Sequence, residues 1–548
     1  MFIILPQFRQ PLCLRFALPF SLLLTLLAPH LITPFCLAQA PSEADESTTW
    51  APLLNVPLDD PMVSEVYAFV DRVVLKYRLK GLIKNRRPYT HGEVSKILDQ
   101  LRLGNFQLTL IERKRLQRLV RYFSEESPRL LRAKGEDYRF DLNLELGELI
   151  THRTEPADPS GTQYAHQVRP IVSGSVYDDF AFRTDLRSYF ISGLDLPDTV
   201  RTEAEVTGGI LSAGLVPAYA KFKLRWFELL IGKDNVSWGP GRRGNLLFSA
   251  NPLPMDMIQI RAQYGKIGFN AFTGIAKSSF GNRKIISAHR VDLNLWDIGN
   301  FGIAESLVIG EDNFELGFLN PFSIYLAIEP TGQGLVDDTV DTSTGNTLIS
   351  SDLELRISQN LQVYGELVID DFQTKHGLES FRNWGTKFGL QLGFHLVDPL
   401  SINNTDLRIE YAFINQFAYT HKYPINAYTH FDRLIGHEIG SDADDLWIHF
   451  GYWLTDTLSA ELTYDLERHG EGDATKPYPL GARSDDLWEF LSGVTESTHA
   501  FSVEGQYHGI GVFLVKGRYT FSRITNLNNQ KGIRGNQHEV VLVMLYRL

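Results

Sequence analysis

The sequence predicts a mainly β fold: a transmembrane antiparallel β-barrel of about eighteen strands with a small N-terminal helical domain ahead of it. Three observations lead there. From Tyr138 to Leu548, short stretches alternate apolar and polar residues between turn residues. Phe140, Leu142, Leu144 and Leu146 alternate with Asp141, Asn143 and Glu145, and Leu353, Leu355 and Ile357 with Asp352, Glu354 and Arg356. Successive strand residues face opposite sides, so each stretch has one apolar and one polar face. Second, roughly 10 to 13 residues suit a tilted strand crossing a bilayer. Third, the chain opens like a secreted protein and thereafter holds no apolar run long enough for a transmembrane helix.

Residues 1–38 read as a signal peptide. Arg9 and Arg15 precede the apolar run Phe16–Leu27, and Cys36-Leu37-Ala38 supplies a cleavage site after Ala38. Thr33-Pro34-Phe35 lacks the small residues of a lipidation site, and Pro34 interrupts a retained anchor. Both cysteines, Cys13 and Cys36, lie in this segment. The mature chain then carries no disulfide, thiolate metal site or cysteine nucleophile. Cleavage takes Lys+Arg from 53 to 51 against 65 Asp+Glu, and the formal charge from −12 to −14. That acidity argues against a nucleic-acid partner.

Residues 39–55 read as a linker and 56–134 as a helical domain ahead of the barrel. Asp60-Pro61 offers a cap followed by proline in the first turn. Val63, Val66, Tyr67, Val70, Val73, Val74 and Tyr77 recur at helical spacing, and Gly81 is the expected stop. Thr90-His91-Gly92-Glu93 and Thr109-Leu110-Ile111-Glu112 are capping boxes opening a second and a third helix. The third carries Arg113, Lys114, Arg115, Arg118 and Arg121, read first as a solvated face and second as a contact to the barrel.

Residues 138–548 supply about eighteen or nineteen strand candidates, and an even count favours eighteen. Ser358-Gln359-Asn360, Thr455-Asp456-Thr457 and His508-Gly509-Ile510 read as tight periplasmic turns. Pro330–Leu348, Gln416–Asp445 and Arg468–Thr498 read as long outer loops. The aromatic load fits girdles at the membrane interfaces. Trp384, Tyr419, Tyr423 and Tyr428 are loop aromatics suited to sugar stacking.

The sharpest local sequence runs from Gly232 to Gly244 through Lys233, Trp238, Arg242 and Arg243. Glycines around Pro240 force a tight path. Trp238 is suited to stacking on a sugar ring, and the arginines to forking a carboxylate. The plainer reading is a loop folded into the lumen with its arginines paired to wall acids. Wet-face cations (Arg183, Arg187, Lys221, Arg261, Arg290, Arg356, Arg408) read as lumen ion pairs with Asp185, Asp292, Asp352, Glu354 and Glu410. His421, His430 and His437 ahead of Asp442, Asp444 and Asp445 match no metal-site spacing and read as a solvated loop. No nucleophile lies beside a base, no metal ligand set stands out, and Asp370-Asp371 point to opposite strand faces. The chain reads as a non-enzyme without a cofactor.

Several blocks resemble the capsule assembly protein Wzi family. They are Val56-Pro57-Leu58-Asp59-Asp60-Pro61, Lys80-Gly81-Leu82-Ile83, Arg87-Pro88-Tyr89-Thr90, Ser237-Trp238-Gly239-Pro240-Gly241, Asn245-Leu246-Leu247, Met255-Asp256-Met257-Ile258, Ala288-His289-Arg290, Gly302-Ile303-Ala304-Glu305, Leu319-Asn320-Pro321 and Val363-Tyr364-Gly365-Glu366. The resemblance implies an outer-membrane barrel of about eighteen strands, with the helical domain at its periplasmic end, that holds capsular polysaccharide at the cell surface in a lectin-like way. The candidate polysaccharide contacts are Trp238, Arg242, Arg243, Lys233, His289 and Arg290. The expected partners are surface polysaccharide and outer-membrane lipid, with the protein a monomer. The alternative is a porin or transporter for small solutes.

Overall fold

The computed structural model describes residues 51–548 apart from 125–128, 155–159, 195–203, 207–210, 279–281, 296–297, 311–315, 329–344, 372–380, 382–384, 477–486 and 510–511. The predicted signal peptide, Trp384 and Ile510 lie outside the described residues.

Three helices come first: α1 (Ser64–Lys76), α2 (His91–Leu103) and α3 (Leu110–Phe123). Asp60 accepts a hydrogen bond from the Met62 N–H, capping a short turn that runs into α1. Both capping boxes form, with Thr90 and Glu93, and Thr109 and Glu112, exchanging side-chain-to-backbone hydrogen bonds. Val63, Val66, Val70, Val73 and Val74 pack with Val94, Ile97, Leu98, Leu116 and Leu119 in one core. α1 stops at Lys76, short of Gly81. Arg78 already takes a left-handed conformation, and Gly81 serves the following turn at φ 90°.

Eighteen strands then close an antiparallel barrel. They are β1 (Tyr138–Thr154), β2 (Gly161–Val176), β3 (Phe180–Gly193), β4 (Leu211–Leu224), β5 (Phe227–Asp234), β6 (Met255–Tyr264), β7 (Ile267–Lys277), β8 (Arg283–Asn294), β9 (Gly299–Gly310), β10 (Gly345–Arg356), β11 (Leu361–Asp371), β12 (Lys387–Val397), β13 (Thr405–Ile414), β14 (Ala443–Trp453), β15 (Leu458–His469), β16 (Glu496–Gly509), β17 (Phe513–Thr525) and β18 (Arg534–Arg547). β18 closes on β1, pairing Leu542 with Ile150 and Arg547 with Glu145.

Burial is inside out. Asp141 and Glu145 on β1, Arg169 on β2 and Asp292 on β8 are fully buried and point inward. Val168, Ile258, Val291, Leu392 and Val503 are exposed on the outer face. A continuous apolar outer band with a polar interior is the pattern of a wall in lipid. The interior is not wet throughout, however. Near the long-loop end, inward Phe272, Ile286, Val308, Leu348, Val368 and Ile414 pack with loop residues in a core like that of a soluble protein.

The helices close the tight-turn end of the barrel. Arg72 of α1 donates to the Thr405 carbonyl at 2.7 Å and pairs with Asp406 at 3.0 Å and with Asp398. Asp60 pairs with Arg547 at 2.9 Å and Arg169 at 3.3 Å. Asp71 pairs with Arg408 at 3.1 Å. The basic α3 is only half solvated. Arg113, Lys114 and Arg121 face water, while buried Arg115 lies 3.4 Å from the centroid of the Trp453 ring and Arg118 donates to the Asp456 carbonyl. Alternation along the helix thus sends one side of the basic run onto the wall.

Candidate functional site

The segment between β5 and β6 enters the lumen and meets the helical plug. Arg86 and Arg87 pair in a two-residue ladder with Trp238 and Ser237. Two wall carboxylates hold the segment by its backbone. Glu410 accepts from the N–H groups of Arg242 at 2.7 Å and Arg243 at 2.9 Å. Glu366 accepts from Leu246 at 2.9 Å and Leu247 at 3.0 Å. Glycine is needed for this path: at Gly239 (φ 128°) a Cβ would stand 2.5 Å from Asn245 Oδ1, and at Gly241 1.9 Å from the Gly244 carbonyl oxygen.

The two arginines fare differently. Arg243 is surrounded by acids: Asp465 at 3.1 Å, Asp445 at 3.5 Å, Glu467 at 2.5 Å, and Glu438. Burial opposes its charge, but Asp465, Glu467 and Asp445 outweigh burial and raise its pKa. The Arg242 side chain is exposed to a cavity of about 360 Å³ lined by Arg87, Arg243, Asn245, Ser249, Asn251 and Glu438 among others. No carboxylate lies within ion-pair distance of it among the described residues. Burial of the loop, then the cations Arg408 and Arg87, push its pKa down. Glu410 fixes the Arg242 backbone, and the guanidinium faces open space, suited to an anionic group. Beside this cavity His437 is fully buried, and burial followed by Arg243 pushes its pKa down to about 3.

Other sequence candidates lie elsewhere. Trp238 is fully buried, edge-to-face with Phe248 at 4.9 Å and Phe272 at 5.6 Å, so neither ring face is open to a sugar. Arg290 is buried on the wall and consumed by Asp292 at 2.7 Å and Asp352 at 2.6 Å. Lys233 stands 3.4 Å from Asp256 at the wall. His289 points to the outer face of β8, 3.3 Å from Glu305. Tyr419 and Tyr428 are not exposed: their rings stack 5.7 Å apart in the upper core. Tyr423 remains partly exposed. The histidine loop is not solvated either. His430 and His437 are buried, Asp444 pairs with Arg468 at 2.5 Å, and Asp442 is held by Ser492. Residues between β13 and β14 fold inward because the loop packs over the β5–β6 segment, with Ser249 N–H donating to the Ile435 carbonyl at 2.9 Å. Sequence reading counted Glu410 among wall acids but missed that it and Glu366 hold loop backbone. Their inward parity was visible, whereas the partner loops, 119 to 168 residues away, were not.

Fold and lumen together define an outer-membrane β-barrel whose interior is filled from both ends. The capsule assembly protein Wzi family matches residues 199–538, more than half of the chain, and the chain belongs to that family. It is accordingly a protein of the Gram-negative outer membrane. Among solved structures it is similar to Wzi of Escherichia coli, described as a carbohydrate-binding β-barrel involved in group 1 capsule assembly. The two share 12% identity with a TM-score of 0.57, covering 90% of this chain and 98% of that one. The outer membrane protein OprD of Pseudomonas aeruginosa matches at 12% identity and a TM-score of 0.41, covering 75% of this chain and 94% of that one. No curated protein sequence matches.

Proposed function

We propose that this protein binds surface polysaccharide at the outer face of the outer membrane and holds it there without chemical conversion. The short turns and the helical plug face the periplasm, as short turns do in such barrels, and the long loops face outward. The observation that carries the reading is the filled lumen. A barrel packed by a plug below and two loops above is a poor conduit for solutes, which leaves its outer loops and the cavity between them and the plug as the working surface. Family membership and the likeness to a carbohydrate-binding barrel support the same reading. Of the sequence candidates, Arg242 is the contact we favour, because its guanidinium faces the cavity with no acid paired to it and suits a sugar carboxylate or another anionic substituent.

The test is surface glycan retention in a deletion strain, with cell-bound and released polysaccharide measured separately. The expected outcome is polymer still made but shed into the medium. Unchanged cell-bound polysaccharide would sink the anchoring role.

A further inference from the structure

The outer face of β9 carries an anomaly. Its outward residues are Phe301, Ile303, Glu305, Leu307 and Ile309. Phe301 and Ile303 are 37% and 47% exposed, as a lipid-facing wall requires, but Leu307 and Ile309 are 1% and 2% exposed. Glu305 sits at mid-strand on the same face, where a bare carboxylate would stand in hydrocarbon at high cost. Residues 316–328 cover this patch from outside. The backbone N–H groups of Tyr325 and Leu326 donate to Glu305 at 2.8 and 2.7 Å, and His289 lies 3.3 Å from it. Phe318 and Tyr325 pack on Leu307 and Ile309, and Phe322 stacks on Phe269 of β7 at 5.3 Å.

We propose that residues 316–328 form a strap embedded in the membrane, held to the barrel by Glu305, with its outer face in contact with lipid acyl chains. Irregular backbone survives in hydrocarbon only where its polar groups are satisfied. Here Asn320 and Ser323 donate to the Gly317 and Asn320 carbonyls, Phe322 to Asn320 Oδ1, and Pro321 has no N–H to satisfy. The side chains turned away from the wall are mostly apolar, with Phe322 78% and Ile324 63% exposed; the one exposed polar residue of the strap, Asn320, turns its Oδ1 back to the Phe322 N–H. Lipid is the fitting occupant because this face continues the outer surface of Val291 and Ile303 at the same height of the wall. The strap also accounts for His289, an ionisable residue midway along the outward face of β8.

The experiment places a nitroxide at Phe322→Cys or Ile324→Cys in the full chain, with Cys13 and Cys36 replaced by serine, reconstituted in phospholipid vesicles. Val291→Cys on the wall and Leu400→Cys in an exposed tight turn are the references. The expected result is high collision with oxygen and low collision with a water-soluble nickel chelate, matching Val291→Cys. Collision with the chelate at the level of Leu400→Cys would put the strap in water and overturn the proposal. Protection from both reagents would mean a protein cover, such as a second copy, and would overturn it equally. Adding Glu305→Ala should raise the mobility of the Phe322 label while the barrel stays folded in unheated detergent gels; unchanged mobility would remove Glu305 as the anchor. The labels replace exposed side chains, so strap location is read in assembled protein whatever Glu305→Ala does.

Discussion

Arg242 and Arg243 are neighbours in sequence with opposite fates, and the difference is testable. Arg243 compensates Glu438, Asp445, Asp465 and Glu467. Removing it leaves a cluster of like charges in a confined space, and Arg243→Ala should cost about 3 kcal/mol in urea unfolding from vesicles. The penalty should shrink at low pH, where the acids take up protons and their repulsion fades. Arg242→Ala breaks no ion pair, so its stability should stay within about 0.5 kcal/mol of the parent, while binding of acidic polysaccharide falls. Equal destabilisation by both substitutions would contradict the asymmetry. The identity of these arginines as the notable basic pair was legible in the sequence. Their division was not, because the four acids come from the loop after β13 and from β14 and β15, far along the chain. Trp238 was misleading for a related reason: flanking glycines mark a tight path, but only Phe248 and Phe272 reveal that the path leads into a core.

At the scale of elements, local signals were the most readable. The capping boxes at Thr90 and Thr109 are short-range devices and form as the spacing requires. Thr90→Ala should cost about 1 kcal/mol, seen as faster amide exchange at the start of α2. The seat of the plug was invisible, since it depends on acids and bases hundreds of residues apart. That seat makes the plug acid-sensitive. Burial alone would raise the pKa of Glu112, but the Lys76 hydrogen bond and the Arg72 charge overcome it and hold the pKa at about 2, against 4.5 in the open chain. Asp60 and Asp71 are likewise held below the carboxylate range by Arg169 and Arg547, and by Arg87, Lys84 and Arg408, against the opposing effect of burial. A carboxylate with a depressed folded pKa contributes stability that is complete above its unfolded pKa and lost as pH falls through the folded one. For Glu112 that window runs from about 4.5 down to about 2. Hydrogen exchange at pH 7 and pH 3 should therefore show residues 51–123 loosening in acid ahead of the strands. A plug as protected at pH 3 as at pH 7 would mean that these pairs do not hold it.

For the whole molecule, period-2 alternation was enough to read a barrel because the rule is local and repeats in every strand. It could not say what fills the barrel, since an inward side chain looks the same whether it meets water, a plug or a loop. Arg290 read as a lumen ion pair and is one, with Asp292 and Asp352, but nothing in the alternation told it apart from inward Phe272, Ile286 and Val308, which form a dry upper core. Two seals follow, a charged one at the tight-turn end and an apolar one near the long loops, in contact where Ala51, Leu53 and Leu54 join the apolar core and Arg86 and Arg87 pair with Trp238 and Ser237. They respond differently to conditions. Acid weakens the lower seal through its carboxylates; the upper one also has a loop held by Glu366 and Glu410, but it rests on the packing of Trp238, Phe248, Phe272, Tyr419 and Tyr428, which includes no carboxylate. Planar bilayers should therefore record no steady conductance from the intact protein at pH 7, and still no wide-pore current at pH 3 after the plug has loosened. Steady porin-sized steps at pH 7 would restore the conduit reading outright. Steps confined to pH 3 would mean that the plug alone keeps the barrel shut and that the loop core is not a seal.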